Sequence, residues 1–338
     1  MFFAVYVKNI IEQNIVLNKL TLIVTIIIYM KNKSRLLVLL LLVSIQTTAQ
    51  QTIQERLGYP KNTKLLILHA DDLGVSHSED AASINLLEKG LISSGSIQVP
   101  CPWFSEIATY AVAHPNADLG IHLTLTSEWK HYKWDGIAGK DKTASLLNSS
   151  GFFYDDLDSL GKMAKLAEVE TELRAQIEKA IQAGIHPTHL DAHMGCCFFN
   201  KEFLKIYLKL AHEYKLPCLL NVNAFKLIYR VDISDVITDK DILTDNVFMA
   251  FPPGEINKRA AYYTEVLNQL TAGLNCVLLH AAFDDDEMNA ITKDHADYGA
   301  AWRQADYDFF ASDACKKLLA DNNIHLVTWK EIKDKLLQ

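Results

Sequence analysis

The sequence has no Cys-x-x-Cys pair, no Gly-x-Gly-x-x-Gly after its first β-rich run, no Pro/Gly/Ser-rich linker beyond residue 64 and no excess of positive charge. Each absence excludes something. Without Cys-x-x-Cys, a cysteine-bound structural zinc is disfavoured. The six cysteines, Cys101, Cys196, Cys197, Cys218, Cys276 and Cys315, sit in apolar runs, where buried free thiols are expected rather than a disulfide framework. Without the glycine fingerprint a dinucleotide fold is disfavoured. A formal net charge of -8 leaves no broad basic surface, so nucleic acid is not the expected partner. With no linker, residues 51–338 read as one domain.

An uninterrupted apolar run long enough to span a bilayer is also missing. Ile15 to Tyr29 is broken by Asn18 and Lys19, and Leu36 to Ile45 is about ten residues long against the roughly 20 a spanning helix needs. The second run follows Lys31, Lys33 and Arg35 and precedes Thr47, Thr48 and Ala49, which is the layout of a cleavable export peptide over residues 30–50. Cleavage near Ala49 or Gln50 is expected, giving a periplasmic or secreted protein with no stable membrane association. Residues 1–29 then read as an extension from a start assigned too far upstream; the other reading is a genuine N-terminal anchor.

What is present is alternation. Short β-rich runs, Leu65 to His69, Ser96 to Val99, Leu119 to Leu125, Thr188 to His193, Cys218 to Val222, Cys276 to His280 and His325 to Trp329, read as strands buried on both faces. Between them lie helical patterns at Glu79 to Lys89, Trp103 to Ala113, Lys162 to Ala183, Lys201 to Tyr214, Asn257 to Thr271 and Tyr307 to Asp321. The alternation predicts an α/β fold, a parallel sheet wrapped by helices and closed as a TIM-like (β/α) barrel. An open doubly wound sheet is the alternative. Thr126 to Leu157 breaks the rhythm, and its aromatic content suits a lid over one face.

The chemistry-bearing residues fall at strand ends. The first strand runs into Asp71 and Asp72, two adjacent carboxylates that repel unless a cation or hydrogen bonds compensate them. The Asp-Asp-Leu-Gly segment could equally cap the next helix. The third strand carries His122, and the fourth carries His189, Asp191 and His193, which alternation turns to one side. A lone strand histidine is usually a hydrogen-bonded core residue. Carboxylates and histidines on several strands together fit a two-histidine, one-carboxylate metal site. His280 ends the sixth strand as a possible proton donor, and the acids Asp284 to Glu287 after it read as a solvated loop.

With these residues in place the chain resembles the YdjC/ChbG family of carbohydrate deacetylases. The resemblance rests on Ala-Asp-Asp-Leu-Gly at 70–74, Gly-Leu-Ile-Ser-Ser-Gly-Ser-Ile at 90–97, Pro-Cys-Pro-Trp at 100–103, Leu-Gly-Ile-His-Leu-Thr-Leu-Thr at 119–126, Glu172 to Gln176, Pro187 to Met194 and the closing run Asn323 to Lys330. It implies a distorted (β/α) barrel, with Asp72, His122 and His193 as ligands of one divalent ion, zinc or magnesium. Asp71 would be the base that activates water, and His280 the group that protonates the leaving amine. By their own chemistry His189 and Asp191 would stand behind the ligands, Asp191 either orienting one histidine or serving as a strand-end hydrogen-bond acceptor. Departures are Ala281 where a proline is common, His69 where many members have asparagine, and Gly195 where many have histidine; these leave His189 against His193 as ligand open.

The implied reaction is removal of acetyl from an N- or O-acetylated sugar or oligosaccharide. Trp129 or Trp134 would present a ring to a pyranose; the other reading is that both anchor the loop on the barrel. Two other readings are a metal-dependent phosphoesterase, disfavoured because no Arg or Lys accompanies the ligands on their strands, and a secreted sugar-binding protein without catalysis.

Overall fold

The computed structural model describes residues 51–251 and 256–337. The export segment and the upstream extension read from the sequence lie outside the described residues.

Strand β1 (Lys64–Leu73) is buried along nearly its whole length, and its composition explains why. Leu65 and Ile67 pack in one hydrophobic cluster, while Leu66, Leu68 and Ala70 pack in another, so the strand is apolar on both faces. Such a strand belongs at the centre of a parallel sheet. One edge of β1 pairs with β6 (Gly273–Leu279) from Lys64 to Ala70. The other edge is divided: β7 (Ile324–Leu326) pairs with Lys64 to Leu66, and β2 (Ser94–Ile97) pairs with His69 to Leu73.

The remaining strands are β3 (Leu119–Leu123), β4 (Leu190–Ala192) and β5 (Asn246–Met249). The sheet order is β4-β3-β2-β1-β6-β5, with every ladder parallel. The gap between β4 and β5 is crossed by residues 217–221. Leu190 N–H donates to Pro217, Leu219 N–H to Leu190 and Thr244 N–H to Leu220. The result is a distorted α/β barrel closed by irregular chain.

That closing segment corrects one expectation. Cys218 to Val222 is not a strand; it makes a single bridge, Leu190 to Cys218, because Asn221 turns its side chain to cap the next backbone turn. The strand in this part of the sheet is β5, whose four residues are only partly buried and so carry little apolar signal. The expected helix Lys162 to Ala183 is broken after Met163, where Ala164 is extended and Lys165 N–H donates to Ser145. Tyr307 to Asp321 is likewise two helices, Ala300–Ala311 and Asp313–Asp321, because Ser312 is extended and caps the second.

The excursion from Thr126 to Leu157 is packed down. Trp134 Nε1 donates to Thr126 at 2.8 Å, the buried Glu172 carboxylate accepts from Ile137 N–H at 2.8 Å and Ala138 N–H at 3.0 Å, and Phe153 is fully buried. Trp129, Trp134 and Phe153 are therefore buried, while Tyr132, Phe152 and Tyr154 are partly buried. All six cysteines are buried free thiols, and among the described residues no helix is long and apolar enough to cross a membrane.

Candidate active site

In an unbroken strand adjacent residues face opposite sides, which would separate Asp71 from Asp72. The chain avoids this with a register shift between Ala70 and Leu73 and a left-handed Asp72, φ 69°. Aspartate tolerates that conformation better than most residues, and such irregularities recur beside active sites. Both carboxylates consequently line one cavity of about 550 Å³ at the C-terminal end of the strands, with His122, Asp191, His193, His280 and Arg303.

Asp72 Oδ1 lies 3.4 Å from His122 Nε2 and 3.2 Å from His193 Nδ1. The outer nitrogen of each ring is held by a carboxylate: His122 Nδ1 is 2.8 Å from Asp191, and His193 Nε2 is 3.0 Å from Glu128. The inner nitrogen of each ring faces Asp72 Oδ1, and the three ligand atoms lie within 4.8 Å of one another. This is the donor set and support that a divalent cation requires. Burial opposes charge on His193, yet Glu128 and Asp72 hold its pKa up to about 10, and Asp191 similarly holds His122 well above its ordinary value.

Alternation along the fourth strand sorts its residues by depth. His189 lies beneath, stacked on Trp329 with ring centroids 5.4 Å apart and edge-on to His69. It approaches Gly120 so closely that any side chain at that position would collide with the imidazole. Asp191 occupies the middle level and His193 the mouth, so His193 and not His189 meets Asp72 and His122. His189 is buried and its pKa is pushed well below 6.5 by desolvation and by His69.

Asp71 lies between two histidines, with Oδ1 3.2 Å from His69 Nε2 and Oδ2 3.6 Å from His280 Nε2. His69 also contacts Asp191 Oδ2 at 2.9 Å and Ser94 at 2.9 Å. Burial opposes its charge, but Asp191 and Asp71 raise its pKa to about 9. His280 is positioned by helix Ala300–Ala311: its backbone N–H donates to Asp306 at 2.9 Å, and its ring packs edge-on to Trp302. Burial, reinforced by Arg303, lowers its pKa below 6.5.

Several participants carried too little sequence signal. Gln98 donates to Asp72 at 2.6 Å and reaches His193 at 3.0 Å; Ser96 donates to Asp191 at 2.8 Å. Ser94, Ser96 and Gln98 have one parity, and a polar stripe in a buried strand was the available clue. Glu128 follows Thr126 in an irregular loop. Arg303 sits on a helical turn upstream of the expected helix and donates to Asp72 Oδ2 at 3.0 Å and to Glu79.

The two tryptophans differ in placement. Trp129 lines the cavity, with the Arg303 guanidinium 5.4 Å from its ring centroid. Trp134 is 3% exposed, packs edge-on against Trp129 and does not line the cavity.

A barrel with an Asp/His cluster at its mouth defines a hydrolase-type site, and sequence comparison gives its family. Residues 65–321 match the family described as YdjC-like protein, and the chain belongs to that family. It is 32% identical over 292 residues to a carbohydrate deacetylase of Thermus thermophilus, covering 83% of this chain and 98% of that protein. It is 24% identical over 270 residues to one from Thermoanaerobacter pseudethanolicus, covering 80% and 100%. The fold matches an Enterococcus faecalis crystal structure described as a cellobiose-phosphate cleavage protein, with TM-score 0.64, 22% identity and coverage of 80% and 99%.

Proposed function

We propose that the chain is a metal-dependent carbohydrate deacetylase that removes acetyl from an N- or O-acetylated sugar or oligosaccharide. Family membership and relatives named carbohydrate deacetylases support the activity. The observation that carries the mechanism is the convergence of His122, His193 and Asp72 beside the Asp71–His280 pair in one cavity. Two imidazoles and one carboxylate fit zinc better than magnesium, whose preference is for oxygen.

Asp72, His122 and His193 would hold a divalent ion, which would supply Lewis-acid polarisation of the acetyl carbonyl and of water. The protein groups do the rest. Asp71 lines the cavity, and its Oδ1 is 3.2 Å from His69 Nε2, which fits a carboxylate held in place to accept the proton of the attacking water. His280 Nε2 lies 3.6 Å from Asp71 Oδ2, which supports assigning it the protonation of the departing nitrogen or oxygen. Asp191 and Glu128 fix the tautomers of His122 and His193, while Arg303 and Gln98 fix Asp72. Export, read from residues 30–50, belongs to the same proposal; N-terminal sequencing of the mature protein should give a start near Gln51.

Elemental analysis of the purified protein, combined with acetate release from a panel of acetylated sugars before and after chelation, tests the reading. Bound zinc and acetate release abolished by chelator are expected. Full acetate release from metal-free protein would overturn the metal's role.

A further inference from the structure

Away from its charged end the cavity changes character. Leu219, Phe225, Ile228, Val247, Met249 and Phe251 line the part next to the irregular closure of the barrel. Asn221, the polar side chain in this arm, is engaged at both ends: Nδ2 donates to Thr244 O at 2.8 Å, and Oδ1 accepts from Ala224 N–H at 2.8 Å. The Tyr229 hydroxyl is directed at Gly195, where any side chain would collide with it. Apolar groups continue to the surface, with Leu227 62%, Ile228 53% and Phe251 54% exposed.

A sugar ring presents hydroxyls around its edge, and each one buried without a partner loses its hydration uncompensated. The arm offers them one side-chain hydroxyl, Tyr229, among walls that are otherwise apolar or, at Asn221, already engaged. Hydrocarbon carries no such cost and gains from leaving water. Because the arm and the Asp71–His280 end form one cavity, its occupant is most simply joined to the group being hydrolysed. Met249, and Met194 at the junction, are flexible fillers suited to a chain that adopts several conformations.

We infer that the substrate is an acetylated sugar bearing an alkyl chain, which lies along Leu219, Phe225, Ile228, Val247, Met249 and Phe251 while the acetyl group meets Asp71 and His280. The inference rests on the deacetylase reading and specifies its substrate class.

The test uses methyl, butyl, hexyl and octyl glycosides of 2-acetamido-2-deoxyglucose below their micelle concentrations, with binding by calorimetry and acetate release measured separately on the same intact protein. Affinity and kcat/KM should rise about twofold to fourfold per added methylene until the arm is filled. Ile228→Ser and Phe251→Ser, both at exposed positions, should each lower the octyl-to-methyl affinity ratio by about fivefold, with unchanged melting temperature confirming folding. Affinity rising with chain length but no acetate from any glycoside would support the arm and remove the deacetylase reading. Acetate release with affinity and kcat/KM independent of chain length would overturn the arm and leave that reading standing. An octyl-to-methyl ratio unmoved in both variants would also overturn it.

Discussion

Arg303 Nη1 lies 3.0 Å from Asp72 Oδ2, the carboxylate oxygen not used by His122 and His193. The same guanidinium contacts Glu79, so one cation faces two buried carboxyl groups. They divide the charge. Burial opposes ionisation of Asp72, but Arg303 and the histidines hold it well below the usual carboxylate range, whereas burial pushes Glu79 up to about 8. At neutral pH, Asp72 balances Arg303 and Glu79 retains its proton.

Arg303→Met should therefore cost about 3–5 kcal/mol, since it strands a buried charge. Glu79→Gln, which replaces a carboxyl already neutral, should cost about 1 kcal/mol or less. Urea unfolding of metal-free protein at pH 7 measures both. Equal losses would mean that Glu79 is ionised and shares the arginine.

Metal binding should follow the depth order on the fourth strand. Asp72→Ala, His122→Ala and His193→Ala should each lose metal and activity together, while His189→Ala keeps the metal. Glu128→Gln and Asp191→Asn should weaken affinity by roughly 10–100-fold, because each only orients a ligand. Asp71→Asn should retain metal and lose at least roughly 10²-fold in turnover. Elemental analysis beside kinetics separates the three groups, and metal retained by His193→Ala but lost by His189→Ala would reverse the ligand assignment.

Why some of this was legible and some was not has a physical basis. Asp71, Asp72, His122, His193 and His280 stand at ends of apolar runs, where a charged or titratable residue contrasts with its neighbours. Pairing partners distant in sequence give no such contrast. Arg303 meets Asp72 across 231 positions, from a helix beginning with small and polar residues rather than an apolar stripe. The barrel could be read because strands such as β1 are apolar on both faces. Its closure could not, because residues 217–221 satisfy their backbone through isolated hydrogen bonds and an asparagine cap, which leave no period. The left-handed Asp72 is a backbone choice that composition does not encode.

The proton-donor role proposed for His280 predicts a pH dependence specific to the bond being broken. Its pKa is lowered below 6.5 by burial, with Arg303 acting in the same direction. The protonated form that can donate to a leaving amine therefore grows as pH falls below 6.5 and is lost as pH rises through the lowered value. For an N-acetyl sugar, kcat/KM should show its declining alkaline limb below pH 6.5. An activated aryl acetate, whose leaving group needs no proton, should lack that limb. His280→Ala should retain much more activity on the aryl ester than on the amide. Equal losses on both substrates would assign His280 a structural or oxyanion role instead.

The two tryptophans should separate into a cavity wall and a buttress. Trp129 lines the cavity and can offer part of its ring to a pyranose, whereas Trp134 is held by its hydrogen bond to Thr126 and by its contact with Trp129. Removing a buried tryptophan costs about 3–5 kcal/mol, so Trp134→Ala should lower the melting temperature and reduce activity by one factor on every substrate. Trp129 is itself only 2% exposed, and Trp129→Phe is the cleaner change because it keeps an apolar ring beneath Arg303 while shrinking the wall. That variant should raise KM for sugar oligomers by several-fold, about 1 kcal/mol of stacking, and leave a small acetyl ester unaffected. If Trp129→Phe changes KM for the ester and the oligomers alike, the ring supports Arg303 rather than the sugar, and the pyranose contact must come from another wall of the cavity.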